Sequence, residues 1–136
     1  MTNAPILPAP LLRQALLADA VTSAACAALL VGGAGFLDDL LGLPAALLAG
    51  AGLVLVPFAG LVAWLGTRAR PPRMAVLAVI GLNALWALDS VLLLVSGWVA
   101  PNAAGLAFVI AQAVVVAMYA ELQVMGLRRS AAAAAA

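Results

Sequence analysis

Residues 74–98 read MAVLAVIGLNALWALDSVLLLVSGW, an almost wholly apolar run with Asn83, Asp89 and Ser90 in its interior. A bilayer's hydrocarbon is about 30 Å thick and takes about 20 helical residues to cross, so this run is long enough to span it. A carboxylate placed deep in hydrocarbon costs about 3 kcal/mol on insertion scales. Asp89 therefore needs a partner, water or a proton, and what it faces becomes the question the rest of the chain must answer.

The remainder of the chain supports the same class. It is 136 residues long, 68% hydrophobic and 8% charged, with a mean hydropathy of +1.24. Soluble domains carry about 25% charged residues. So few charges cannot cover a water-facing surface but suit a lipid-facing one. Net charge is +1, which excludes a field attracting nucleic acid. There is no His, and Cys26 is the one cysteine, so no internal disulfide, thiolate cluster or imidazole metal site is expected. Cys26 reads as a small apolar packing residue.

Outward from the opening run, the chain divides into a tail at 1–10, a four-span domain at 11–129 and an Ala-rich tail at 130–136. The first tail holds three prolines, which disfavour helix. It lacks a basic start and a small-x-small cleavage site, so the first span reads as a retained helix rather than a signal peptide. Spans are expected over about 11–31, 44–66, 74–98 and 103–127. The first is rich in Ala, with Ser23 among them as a small packing residue, and the second holds Gly50, Gly52 and Gly60, giving faces on which helix backbones can approach closely. Pro57 lies inside the second span, and Pro44 suits its first turn. FLDDLLGL at 36–43 reads as a short interfacial helix with Asp38 and Asp39 in water. The run 131–136 is all Ala and reads as a linker, tag remnant or placeholder.

Charge gives an orientation. Arg13, Arg68, Arg70, Arg73, Arg128 and Arg129 all fall at one end of four alternating spans, and the other end has none. The positive-inside rule then predicts an all-α antiparallel four-helix bundle with both termini cytoplasmic. The pattern of Arg-only turns on an Ala/Leu/Gly/Val-rich body resembles small inner-membrane proteins of bacteria with GC-rich genomes. That likeness implies a bacterial inner-membrane location and no activity.

Depth and face select candidate site residues. Counting inward from Trp98, Asp89 lies nine residues deep and Asn83 fifteen; from Gly105, Gln112 lies seven deep and Tyr119 fourteen. Asp89 is expected level with Gln112, and Asn83 with Tyr119. Gln112, Val116, Tyr119 and Gln123 share one face of the last span. A ligand pocket lined by Asn83, Trp86, Asp89, Ser90, Gln112 and Tyr119 is expected in the half away from the arginines. Asp89 would sit at its rim, bonded to Gln112, Ser90 or a freed backbone group. Amides and hydroxyls between membrane helices also serve as plain structural bonds. Near the arginine end, Asp19 is expected to snorkel or to pair with Arg13, and Glu121 to pair with Arg128 or Arg13, as interfacial anchors.

No residue set marks a catalyst: there is no His, Cys26 has no visible activating neighbour, and no Ser is paired with a base. The expected function is a non-enzymatic accessory or assembly subunit, or a four-helix module binding lipid or another apolar molecule. The alternative is a small proton-coupled transporter using Asp89. No cofactor is expected. Expected partners are the bilayer, a membrane protein or a second copy, and a lipid or apolar small molecule.

Overall fold

A computed structural model describes residues 3–136. It is all-helical: α1 (Pro10–Gly32), α2 (Ala34–Leu41), α3 (Ala45–Thr67), α4 (Arg73–Ser96) and α5 (Ala103–Ala135). Four of them, α1, α3, α4 and α5, are long and apolar enough to cross a membrane. These four candidate spans suggest a multi-pass membrane protein.

The helices form where a backbone in lipid must satisfy its own hydrogen bonds. Prolines punctuate them. Pro10 opens α1, while Pro44 and Pro72 stand at the caps of α3 and α4. Pro57 sits inside α3 without ending it. Gly97, at φ +78°, stops α4 at Ser96, two residues short of the expected Trp98. The short helix between the first two spans is present as α2. Asp38 has a structural task there: its Oδ2 accepts the Ala45 N–H at 3.3 Å at the start of α3. The last helix extends beyond the span expected to end near 127. α5 runs on to Ala135, and Ser130 is buried.

Two cores hold the helices together. The first joins Leu12, Leu16 and Ala20 of α1, Val62 and Leu65 of α3, Val76 and Val79 of α4, and Leu127 of α5. The second joins Ala27 and Leu30 of α1, Leu37 and Leu41 of α2, Leu43, Leu48 and Leu55 at α3, and Val109 of α5. No fully buried α4 residue belongs to the second core; α4 offers only the half-buried Trp86 and Leu94. α1 lies along α3 and α5, and α4 lies along α5, while α3 and α4 barely touch.

Hydrogen bonds close both ends. At the first, Ile6 N–H donates to the Pro71 carbonyl at 3.0 Å, Ala9 N–H to Ser130 Oγ at 2.8 Å, and Arg13 to the Arg68 carbonyl at 3.2 Å. The N-terminal tail thus ties the start of α1 to the α3–α4 connection and to α5. At the opposite end Asn102 bonds the Leu41 and Leu40 carbonyls at 3.1 and 2.9 Å and caps α5 through Gly105 N–H. Leu53, Val56, Leu85, Leu88, Val114 and Met118 are exposed on the long helices, whereas Asp19, Asn83 and Gln123 are buried. This inversion of the water-soluble pattern suits a lipid surround.

Candidate functional site: a cleft between α3 and α4

Three helices bring a polar cluster to the middle of the molecule. Asp19 of α1 is 1% exposed. Its Oδ2 accepts from Asn83 Nδ2 of α4 and from Gln123 Nε2 of α5, each at 2.7 Å, and its Oδ1 accepts from Ser23 Oγ at 3.1 Å. Asn83 also donates to Gln123 Oε1 at 3.1 Å. No buried polar side-chain atom among the described residues lacks a partner. Complete satisfaction matters because a half-satisfied polar network inside an apolar body is costly.

This cluster corrects the expected pairing of Asp19 with Arg13. Six residues along a helix turn Asp19 about 120° away from Arg13, and the Arg13 guanidinium goes to the Arg68 carbonyl instead. It also corrects the layering. Asn83 lies level with Gln123 and Asp19 rather than with Tyr119. Counted from Arg73, its nearer end, Asn83 is ten residues into α4, and Asp19 is nine into α1 from Pro10. Asp19 is the buried carboxyl group, and Asp89 is exposed at the cavity it borders. Glu121 and Arg128 are both exposed on α5, separated by about 10 Å of helix rise. Neither expected ion pair forms among the described residues.

Above the cluster, a second polar group links α4 and α5. Trp86 Nε1 donates to Gln112 Oε1 at 2.8 Å, Gln112 Nε2 donates to Ser90 Oγ at 2.8 Å, and Ser90 Oγ donates to the Trp86 carbonyl at 2.8 Å. This closed ring fixes the indole and uses the donors of all three side chains. A third link joins α1 and α5, where Thr22 Oγ1 and Tyr119 OH lie 2.6 Å apart.

These groups border open space. A cavity of about 530 Å³ lies between α3 and α4 with α1 and α5 behind it. Its apolar wall includes Leu47, Ala51, Leu55, Leu93 and Phe108, and its polar lining includes Asp19, Trp86, Asp89, Ser90, Gln112 and Tyr119. A neighbouring cavity of about 290 Å³ continues along the same gap past Pro57, Phe58, Leu82 and Asn83, sharing Ser23, Leu55, Trp86 and Val116 with the first. Ligand sites commonly enclose about 300–1,000 Å³ and are mostly apolar with a few placed polar groups.

Of the six residues expected to line a pocket, Trp86, Asp89, Ser90, Gln112 and Tyr119 border the larger cavity and Asn83 the smaller. Asp89 does not bond Gln112 or Ser90, whose polar atoms are engaged with each other and with Trp86. No family model, characterised protein or solved structure matches the chain. The site must be read from its own chemistry.

Sequence reasoning missed the partners on α1. Ser23 was read as one of a set of small packing residues, and Cys26 and Thr22 were not placed at a cavity. The stripe Gln112–Val116–Tyr119–Gln123 carried the available signal. Its first three members line the larger cavity and its fourth enters the buried cluster.

Proposed function

We propose that the protein is a non-enzymatic, four-span module of the bacterial inner membrane that takes an apolar molecule into the cleft between α3 and α4. The observation that carries this reading is the pair of neighbouring, apolar-walled cavities along a gap that α3 and α4 leave between them. In lipid, such a gap is filled by an acyl chain or by a dedicated ligand. Fixed polar side chains at Trp86, Ser90 and Gln112 give it a defined shape.

The spans form an antiparallel bundle with both termini in the cytoplasm. The hydrogen-bonded joining of Ala9 to Ser130 and of Arg13 to Arg68 supports this topology, because it gathers the arginine-bearing segments at one end. The positive-inside rule then turns that end to the cytoplasm. Single cysteines at 70 and 39, in a Cys26→Ser background, should label from opposite sides of the membrane; labelling from the same side refutes the topology.

The ligand reading is tested by purifying the protein in mild detergent and identifying co-purified apolar molecules by mass spectrometry. Ala51→Phe, which projects a ring into the larger cavity, should remove at least nine-tenths of the bound species. Equal loading of both proteins refutes the cleft as the binding site.

A second reading is proton-coupled transport through Asp89, favoured by its place on the cavity-facing stripe of α4. Unchanged proton-coupled uptake by Asp89→Asn in vesicles would remove it.

A further inference from the structure

Resting on the cleft reading, we infer that the occupant is a lipophilic cation, with Asp89 as its counter-charge. Four residues of α4 face the larger cavity: Trp86, Asp89, Ser90 and Leu93, at the spacing of one helical stripe. Asp89 is thus directed toward the cleft, seven residues before the end of α4 at Ser96, about 10 Å inside the helix.

The charge inventory of the wall selects the sign of the ligand. The lining contains two acids, Asp19 and Asp89, and no basic residue. Asp19 already holds three donors from Ser23, Asn83 and Gln123. Asp89 is exposed beside polar neighbours whose hydrogen bonds are spent on one another. All six arginines belong to the N-terminal part of α1, the α3–α4 connection, the first residue of α4 and the last part of α5, remote from this half of the cavity.

A neutral occupant would leave the Asp89 carboxylate beside an apolar body with nothing to offset its desolvation. An anionic occupant would add repulsion. A cation with a bulky apolar body satisfies both walls. Aromatic rings strengthen the match: Trp86, Phe108 and Tyr119 line the same space, and ring faces attract cations.

The test uses the full chain in nanodiscs of zwitterionic lipid. Trp64→Phe and Trp98→Phe leave Trp86 as the one fluorescent indole, inside the cleft. The probes are tetraphenylphosphonium, neutral triphenylphosphine oxide and anionic tetraphenylborate. Tetraphenylphosphonium should quench Trp86 saturably, at least tenfold more tightly than either other probe. Asp89→Asn should weaken the cation at least tenfold and leave the neutral probe unchanged, while Asp89→Glu retains cation binding. Helix content by circular dichroism should match across all three proteins. Equal binding of cation and neutral probe, or full cation binding by Asp89→Asn, overturns the charge assignment and leaves the cleft reading standing. Saturable quenching by none of the probes overturns both.

Discussion

The two ends of this molecule solve the same packing problem differently. At the arginine end, all four long helices contribute buried side chains to one core, from Leu12 and Leu16 through Val62 and Val76 to Leu127. At the other end, the core is made by α1, α2, the start of α3 and Val109, and α4 stands back from it. Helix association in lipid depends on close packing and interhelical hydrogen bonds rather than on expulsion of water. Where those are dense, the helices close. Above the Asp19–Asn83–Gln123 cluster, hydrogen bonds still join α4 to α5 and α1 to α5, but none among the described residues joins α3 to α4, and the cleft lies between those two. The cluster is the boundary between a scaffold and a receptive half.

The sharpest way to break this comparison is at Gly126. A Cβ built there would lie 2.6 Å from both Cα and N of Leu12, so only backbone movement could relieve the clash. Gly126→Val should lower stability by about 3 kcal/mol, the upper part of the usual overpacking range. Gly60 has nothing within 4 Å of its would-be Cβ, and Gly60→Val should change stability by less than about 0.5 kcal/mol. Unfolding in mixed detergent–SDS micelles measures both. Equal effects would show that close helix approach does not hold the arginine end.

Asp19 comes next. Asp19→Ala strands the Asn83 and Gln123 amides inside the protein and should cost about 2 kcal/mol in the same assay, the penalty for buried donors left unpaired. The loss should be largely shared with Gln123→Leu: the double variant should be less unstable than the two single losses added together, since the residues act as one network. Strict additivity would show that the cluster is not a unit.

Much of the fold was legible because membrane helices announce themselves by length and apolarity, and Pro44 marks the start of the second long one. The cleft's polar lining was also legible, through the helical stripe from Gln112 to Tyr119 and the indole at Trp86. The hidden part was the partner of each acid. Depth counted from one end of α4 put Asn83 in the wrong layer, because polar residues in a span have no sequence signal for which end of the neighbour they meet. Asp19 was read against the nearest arginine in the sequence. The structure gives it amides from α4 and α5, which are far along the chain and carry no charge to betray the pairing. Ser130 was hidden in the same way: its hydroxyl donates to the Gly126 carbonyl one turn back and accepts from Ala9 N–H of the returning N-terminal tail.

That tail supplies a smaller test of the closed end. Ser130→Ala removes the acceptor for Ala9 N–H and should cost about 1 kcal/mol, an ordinary hydrogen-bond increment. Its local signature is faster hydrogen exchange at Ala9 and Ile6, because Ile6 N–H depends on the tail staying docked at Pro71. Exchange in α4 near Trp86 should not change. A rise there would mean that the two ends are coupled more tightly than separate cores imply.

The smallest stability effect is expected at the residue with the largest expected effect on binding. Asp89 is exposed at the cleft, and the side chains beside it bond each other rather than it. Asp89→Asn should therefore shift unfolding by less than about 0.5 kcal/mol in the ligand-free protein, as for surface substitutions away from special features. With a cleft ligand bound, the parent protein gains stability that depends on ligand concentration, and the variant should gain less. Comparing the two proteins with and without ligand separates the carboxyl group's part in the fold from its part in recognition. A loss above about 1 kcal/mol without ligand would assign Asp89 to the scaffold, and the boundary drawn at Asp19 would have to move outward to include it.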